Sequence, residues 1–213
     1  MMSWQLLIAI ATFVLVTTGT PGPNNILLLN SGANNGVKRS LPLLFGINNG
    51  VVLMVILMML GLGELFMRYP VTQTYLKILG SGYLLYLAFK IATSPTTAKP
   101  VQTATDTESD TTTSADGSAR PMRWLEAVLF QFINPKVWMM AITAASSFTL
   151  AGEFFYLSAA AIILAFMTIG LCCNMSWVVL GVAIQKLLST AARQRCFNYI
   201  MAGLTAATIT MII

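Results

Sequence analysis

The sequence has no histidine and only seven acidic residues. The first absence excludes a His-ligated zinc site, a Ser-His-Asp triad and an imidazole proton shuttle. Cysteine is nearly missing too. Cys172, Cys173 and Cys196 are odd in number, and two are adjacent, which is neither a disulfide framework nor a CxxC pair. They read as small apolar residues within helices. No catalytic residue, metal site or cofactor is expected. Charge is scarce overall, at 9% of residues against roughly 25% in soluble domains. Twelve bases and seven acids cannot cover the surface of a 213-residue soluble fold. A soluble enzyme, a nucleic-acid-binding domain and a disordered chain are thereby excluded. What the chain has instead is 56% AVILMFWYC residues, the composition of a membrane protein. Its net charge of +5 suits anionic lipid headgroups rather than nucleic acid, because the bases sit singly between apolar runs.

A spanning helix needs roughly 20 mostly apolar residues. Six segments meet or approach this: Trp4–Leu29, Leu41–Leu62, Val71–Ile91, Trp124–Leu150, Phe154–Leu180 and Phe197–Ile213. The first lacks a basic n-region, since no Lys or Arg precedes Lys38, and has no small-x-small cleavage site. It is expected to be a retained helix rather than a signal peptide. Nine of the twelve bases fall in the connections after helices 1, 3 and 5. That bias predicts these connections in the cytoplasm and both termini outside.

The connection 93–120 stands apart. It is rich in Thr, Ser and Ala, has no aromatic residue, and holds Asp106, Glu108, Asp110 and Asp116. Such a stretch buries too little apolar area to offset its ordering entropy, so a flexible cytoplasmic linker is expected. It divides the chain into a first three-helix half, 1–92, and a second, 121–213. Three is odd, so the second half enters the membrane inverted. The predicted fold class is an all-α integral membrane protein whose six transmembrane helices form a 3+3 inverted repeat.

Two places break the helix rules. One is Thr20-Pro21-Gly22-Pro23-Asn24-Asn25, the other Asn134-Pro135-Lys136, and each lies in the first helix of its half. Proline removes a backbone donor and clashes with the preceding turn. Freed backbone groups are tolerated in a membrane only inside protein or beside a wet cavity. Paired interruptions in helices 1 and 4 point to a transporter's binding site. Asn134 is a good N-cap with Pro135 at the first helical position, and Thr20 with Pro21 suits the same roles in the first half. Helix starts present free N–H groups and partial positive charge, which suit a carboxylate. Lys136 lies twelve residues past Trp124, about 18 Å along a helix, and a lysine that deep is a functional candidate. Pro23 lies nineteen residues from Trp4, so a straight helix would carry it towards the cytoplasmic side, and a re-entrant turn is the alternative. The substrate-binding candidates are Pro21, Gly22, Pro23, Asn24, Asn25, Asn48, Asn134, Pro135 and Lys136. Lys136 and Glu126, near the start of helix 4, are the coupling candidates. Asn49, Gln131, Asn174 and Ser176 are weaker polar signals within spans. Gly32-x-x-x-Gly36 and Gly46-x-x-x-Gly50 permit close helix approach.

Thr20-Pro21-Gly22-Pro23-Asn24, followed by an apolar run and Gly36, together with Phe132-Ile133-Asn134-Pro135-Lys136, resembles the LysE/RhtB superfamily of bacterial amino-acid exporters. Lys90-Ile91-Ala92-Thr93-Ser94-Pro95 and Gln131-Phe132-Ile133-Asn134 are similar to the branch that contains the cysteine/O-acetylserine exporter. The chain departs from that pattern in its longer 93–120 linker and in lacking an acid in helix 2 before Glu64. The resemblance implies a multi-pass protein of the bacterial inner membrane. It implies efflux of small amino acids or close derivatives, driven by protons. The lack of deep acids favours neutral substrates, the net charge makes membrane lipids further partners, and so small a transporter is compatible with a homodimer. A passive small-solute channel and an intramembrane thiol oxidoreductase are the alternative readings.

Overall fold

The computed structural model describes residues 3–62, 68–94, 122–188 and 190–211. Most of the expected linker, with Lys99 and Arg120, and Glu64 before it, lie outside the described residues. Among the described residues the chain is helical, without strands: α1 Trp4–Gly19, α2 Pro23–Leu57, α3 Pro70–Ala92, α4 Trp124–Gln131, α5 Pro135–Phe148, α6 Phe155–Ala165, α7 Leu171–Gln185 and α8 Ala191–Ala207. A π-helical turn, Met58–Leu62, extends α2, and another, Phe166–Gly170, joins α6 to α7 without interruption. The stretches Pro23–Leu62 and Gly152–Gln185 are long and apolar enough to cross a membrane, and α4 with α5, bent by 66°, makes a third candidate. The outer surface carries many large apolar side chains. Leu15, Phe45, Leu53, Leu60, Phe89 and Leu164 are exposed, while Val14, Leu28, Ile47, Met54 and Ile162 are buried. That is the pattern of a chain with lipid outside and packed side chains within.

Within α2 the chain reverses direction. Gly36 has φ 74°, a left-handed conformation that L side chains rarely adopt. Ser31 and Ser40 are nine residues apart, which a straight helix would separate by about 13 Å. Their hydroxyls meet at 2.8 Å, and Ser40 Oγ also donates to the Gly36 carbonyl at 2.8 Å. The chain therefore folds back at Gly36, and limbs 23–35 and 37–57 run side by side. This corrects the expected end of the first segment at Leu29 and the start of the second at Leu41. It also changes the meaning of Gly32-x-x-x-Gly36, in which Gly36 makes the turn. Likewise α8 starts at Ala191, with Thr190 Oγ1 accepting from the Arg193 N–H, rather than at Phe197.

Close backbone approach locks the limbs to later helices. A Cβ on Gly32 would strike the Val178 carbonyl of α7, and one on Gly181 would strike the Leu29 carbonyl of α2. Limb 23–35 and α7 thus touch backbone to backbone. Limb 37–57 packs on α4 in the same way through Gly46 and Gly50, and α3 packs on α8. Elements before and after the linker interleave, which brings the two helix breaks together.

Candidate functional site

The first break spans the three residues between α1 and α2. Its helix begins at Pro23 with Gly22 as N-cap, two residues later than the Thr20-Pro21 start expected from sequence. Thr20 instead finishes α1, its N–H donating to the Val16 carbonyl at 3.0 Å. Both prolines suit a first helical position, and Pro23 takes it. Gly22 supplies no side-chain cap, so the Asn24 and Asn25 N–H groups, in the first turn, have no intrahelical acceptor. The Asn25 amide ties the break together by donating to the Thr18 carbonyl at 2.9 Å and to the Thr20 carbonyl at 2.8 Å.

The second break follows the sequence expectation closely. Asn134 caps α5, accepting from the Lys136 N–H at 3.2 Å, with Pro135 at the first position. The freed carbonyls find partners: Trp138 Nε1 donates to the Phe132 carbonyl at 2.8 Å. Three tight turns carry the chain through, with the N–H groups of Phe132, Ile133 and Asn134 each reaching back three residues.

A chain of amides joins the breaks. Gln131 Nε2 donates to the Ala127 carbonyl at 2.8 Å, and its Oε1 accepts from Asn24 Nδ2 at 2.8 Å. Asn24 Oδ1 accepts from Asn134 Nδ2 at 3.1 Å. Gln131 and Asn134 are buried, where unpaired amides would be costly. Beside this chain Lys136 Nζ crosses to the first break and donates to the Thr20 carbonyl. Its stem presses on Gly22, where an added Cβ would lie 2.9 Å from Lys136 Cδ. A side chain at position 22 would displace the lysine.

These groups enclose a cavity of about 20 Å³, lined by Thr17, Thr18, Gly22, Asn24, Asn25, Asn48, Val51, Lys136, Val137, Met140, Phe166, Gly170 and Asn174. It is a water-sized space, so an amino acid requires its walls to move. Thr18 Oγ1 is buried there without a hydrogen-bond partner. Such an orphan is expected at a site that binds something. The π-turn Phe166–Gly170, an uncommon feature enriched at functional sites, forms one wall.

Of the candidates read from sequence, Gly22, Asn24, Asn25, Asn48 and Lys136 line this cavity. Asn134 stands behind it in the amide chain. Pro23 and Pro135 start the helices without lining the cavity, and Pro21 is exposed. Glu126 is elsewhere. It lies at the start of α4, where Oε2 accepts from the Arg123 N–H at 2.9 Å, and it lines a different cavity. The helical turn explains the remaining sorting. Asn174 is buried against the cavity while Ser176, two residues on, is exposed. Asn48 is inside, and Asn49 is outside. Sequence reading missed Thr17 and Thr18, since hydroxyls near the end of an apolar helix carry no distinguishing signal. The three cysteines are free, and none is among the residues lining this cavity.

The chain matches the model of the family described as LysE type translocator over residues 4–212. It is 32% identical over 209 residues to the cysteine/O-acetylserine efflux protein of Klebsiella pneumoniae subsp. pneumoniae, covering 95% of this chain and 94% of that protein. It is 32% identical over 196 residues to the protein of the same description in Escherichia coli, covering 91% of each. No solved structure matches the chain.

Proposed function

The chain belongs to the LysE type translocator family and is a transporter rather than an enzyme; from that premise we propose that it exports small neutral amino acids or derivatives of the cysteine and O-acetylserine kind. The observation that carries the reading is the meeting of two helix breaks around one lysine, Lys136, whose Nζ crosses to the Thr20 carbonyl of the other break. In this proposal the substrate carboxylate takes the place of that carbonyl as the partner of Lys136. It also receives the open Asn24 and Asn25 N–H groups at the start of α2. Asn48, Asn174 and the Thr18 hydroxyl face the remainder of the substrate.

The proposed architecture is six spans in two inverted halves, 1–92 and 121–213, joined by a cytoplasmic linker, 93–120, in the bacterial inner membrane. Both termini face outside. Limb 23–35 follows a break and starts with proline, as α5 does, and the two have nearly equal length. The positions of Lys38, Arg39, Lys90, Arg123, Lys186, Arg193 and Arg195 support the orientation. Transport proceeds by alternating access coupled to proton antiport, with Lys136 or the substrate's own ionisation carrying the coupling. The glycine contacts make limb 23–35 move with α7, and limb 37–57 with α4, so the moving bodies are cut across the halves. The water-sized volume of the cavity between the breaks supports a carrier over an open channel.

The experiment is transport by purified protein in liposomes of labelled cysteine and O-acetylserine, with and without an imposed pH gradient. Uphill movement that requires the gradient is expected. Downhill leakage alone would make the protein a channel, and no movement by folded protein would reject this substrate class.

A further inference from the structure

A second cavity, of about 310 Å³, lies between limb 23–35, the C-terminal part of α3 and the start of α4. Its volume is at the lower end of the range for small-molecule sites. Its walls carry both signs of charge, Lys90 from α3 and Glu126 from α4, and Asn30, Asn35 and Tyr86 line it as well. The Glu126 carboxylate is fixed in place by accepting the Arg123 N–H at 2.9 Å. Tyr83 makes one wall rigid, its ring 5.4 Å from Phe130 and 6.0 Å from Tyr86.

The two cavities differ in what they can neutralise. Among the described residues lining the central cavity there is a lysine and no Asp or Glu, so a substrate's ammonium group meets no opposite charge there. The second cavity offers a cation and an anion together. The two cavities share structural elements. One helix limb lines both, through Asn24 and Asn25 at its start and Asn30 and Asn35 further on. The amide chain that ends beside Lys136 begins at Ala127, next to Glu126.

We propose that the second cavity is a binding site for an amino-acid zwitterion, with Lys90 receiving the carboxylate and Glu126 the ammonium group, filled before the substrate passes to the central cavity. The assignment rests on the export function proposed above. A zwitterionic lipid headgroup shares this chemistry, and the test separates the two sources.

Initial rates of O-acetylserine transport are measured over a range of concentrations in proteoliposomes holding the full chain, for wild type, Lys90→Met and Glu126→Gln. The glutamine keeps an oxygen to accept the Arg123 N–H, so the start of α4 is preserved. Each variant is expected to raise KM about tenfold or more, the loss of one charged hydrogen bond, while Vmax stays close to wild type. An unchanged KM in both variants overturns the inference and leaves export standing. A fall in Vmax with KM unchanged overturns it too, by moving these residues to the transport step. A wild type that transports no amino acid removes both readings. In a binding assay, displacement of labelled O-acetylserine by phosphoethanolamine as strongly as by unlabelled O-acetylserine would assign the site to a lipid headgroup instead.

Discussion

The two breaks look alike in sequence and do different work. The break before α5 is self-contained: Asn134 occupies the Lys136 N–H, and the Asn134 carbonyl accepts from the Val137 N–H at 3.1 Å. The break before α2 has no side-chain cap, and its early N–H groups stay open. Positive charge therefore concentrates at the first break from two sources, its own helix start and the lysine lent by the second. In the proposed function the first break is accordingly the anion site, and the second break supplies it with side chains. Asn24 is the hinge of this arrangement, since it lines the cavity and holds both Gln131 and Asn134.

Breaking that hinge should have the largest effect. Asn24→Ala is expected to abolish export while the protein still reaches the membrane, because both amide links between the breaks go at once. Wild-type transport by this variant would remove the link from the mechanism. Next comes Asn134, where two roles can be separated. Asn134→Ala should lose about 1 kcal/mol of stability as a missing cap and about tenfold in transport rate. Asn134→Asp keeps the cap but cannot donate to Asn24. Thermal unfolding near wild type with transport still reduced is the expected result, and restored transport would show that capping alone matters. A smaller change follows from crowding Lys136. Gly22→Ala should raise KM several-fold with little change in unfolding temperature, since the lysine stem can shift. The smallest expected effect is at Thr18. Removing an unpartnered buried hydroxyl in Thr18→Val should leave stability unchanged or raise it by up to about 1 kcal/mol, with a modest rise in KM. A clear loss of stability would mean that the hydroxyl has a structural partner.

How much of this was legible in the sequence differs between the breaks. Asn134-Pro135 is read correctly because capping is local: one side chain, one proline, one turn. Thr20-Pro21-Gly22-Pro23 offers two prolines for one position, and α1 closing at Thr20 decides between them. The reversal at Gly36 is hidden because polar Asn34, Asn35, Lys38 and Arg39 lie within one helical run. The turn also explains how Pro23 comes to face the other break: twelve residues of helix follow it before the chain reverses at Gly36, so the first segment does not end near Leu29. The amide chain was not legible at all. Its partners are 107 and 110 residues apart, and only the interleaved packing of limb 37–57 on α4 and limb 23–35 on α7 brings them together. Asn48 and Asn49 show the limit of composition, because one residue of helical rotation separates cavity from outer surface.

The most direct test of the account is export of labelled O-acetylserine by Lys136→Ala, reconstituted at the same protein density as wild type and checked for monodisperse folding. No export above that of protein-free liposomes is predicted, because the charge proposed to hold the carboxylate at the first break is gone. Export at the wild-type rate would contradict it, and the site would have to be sought away from the two breaks.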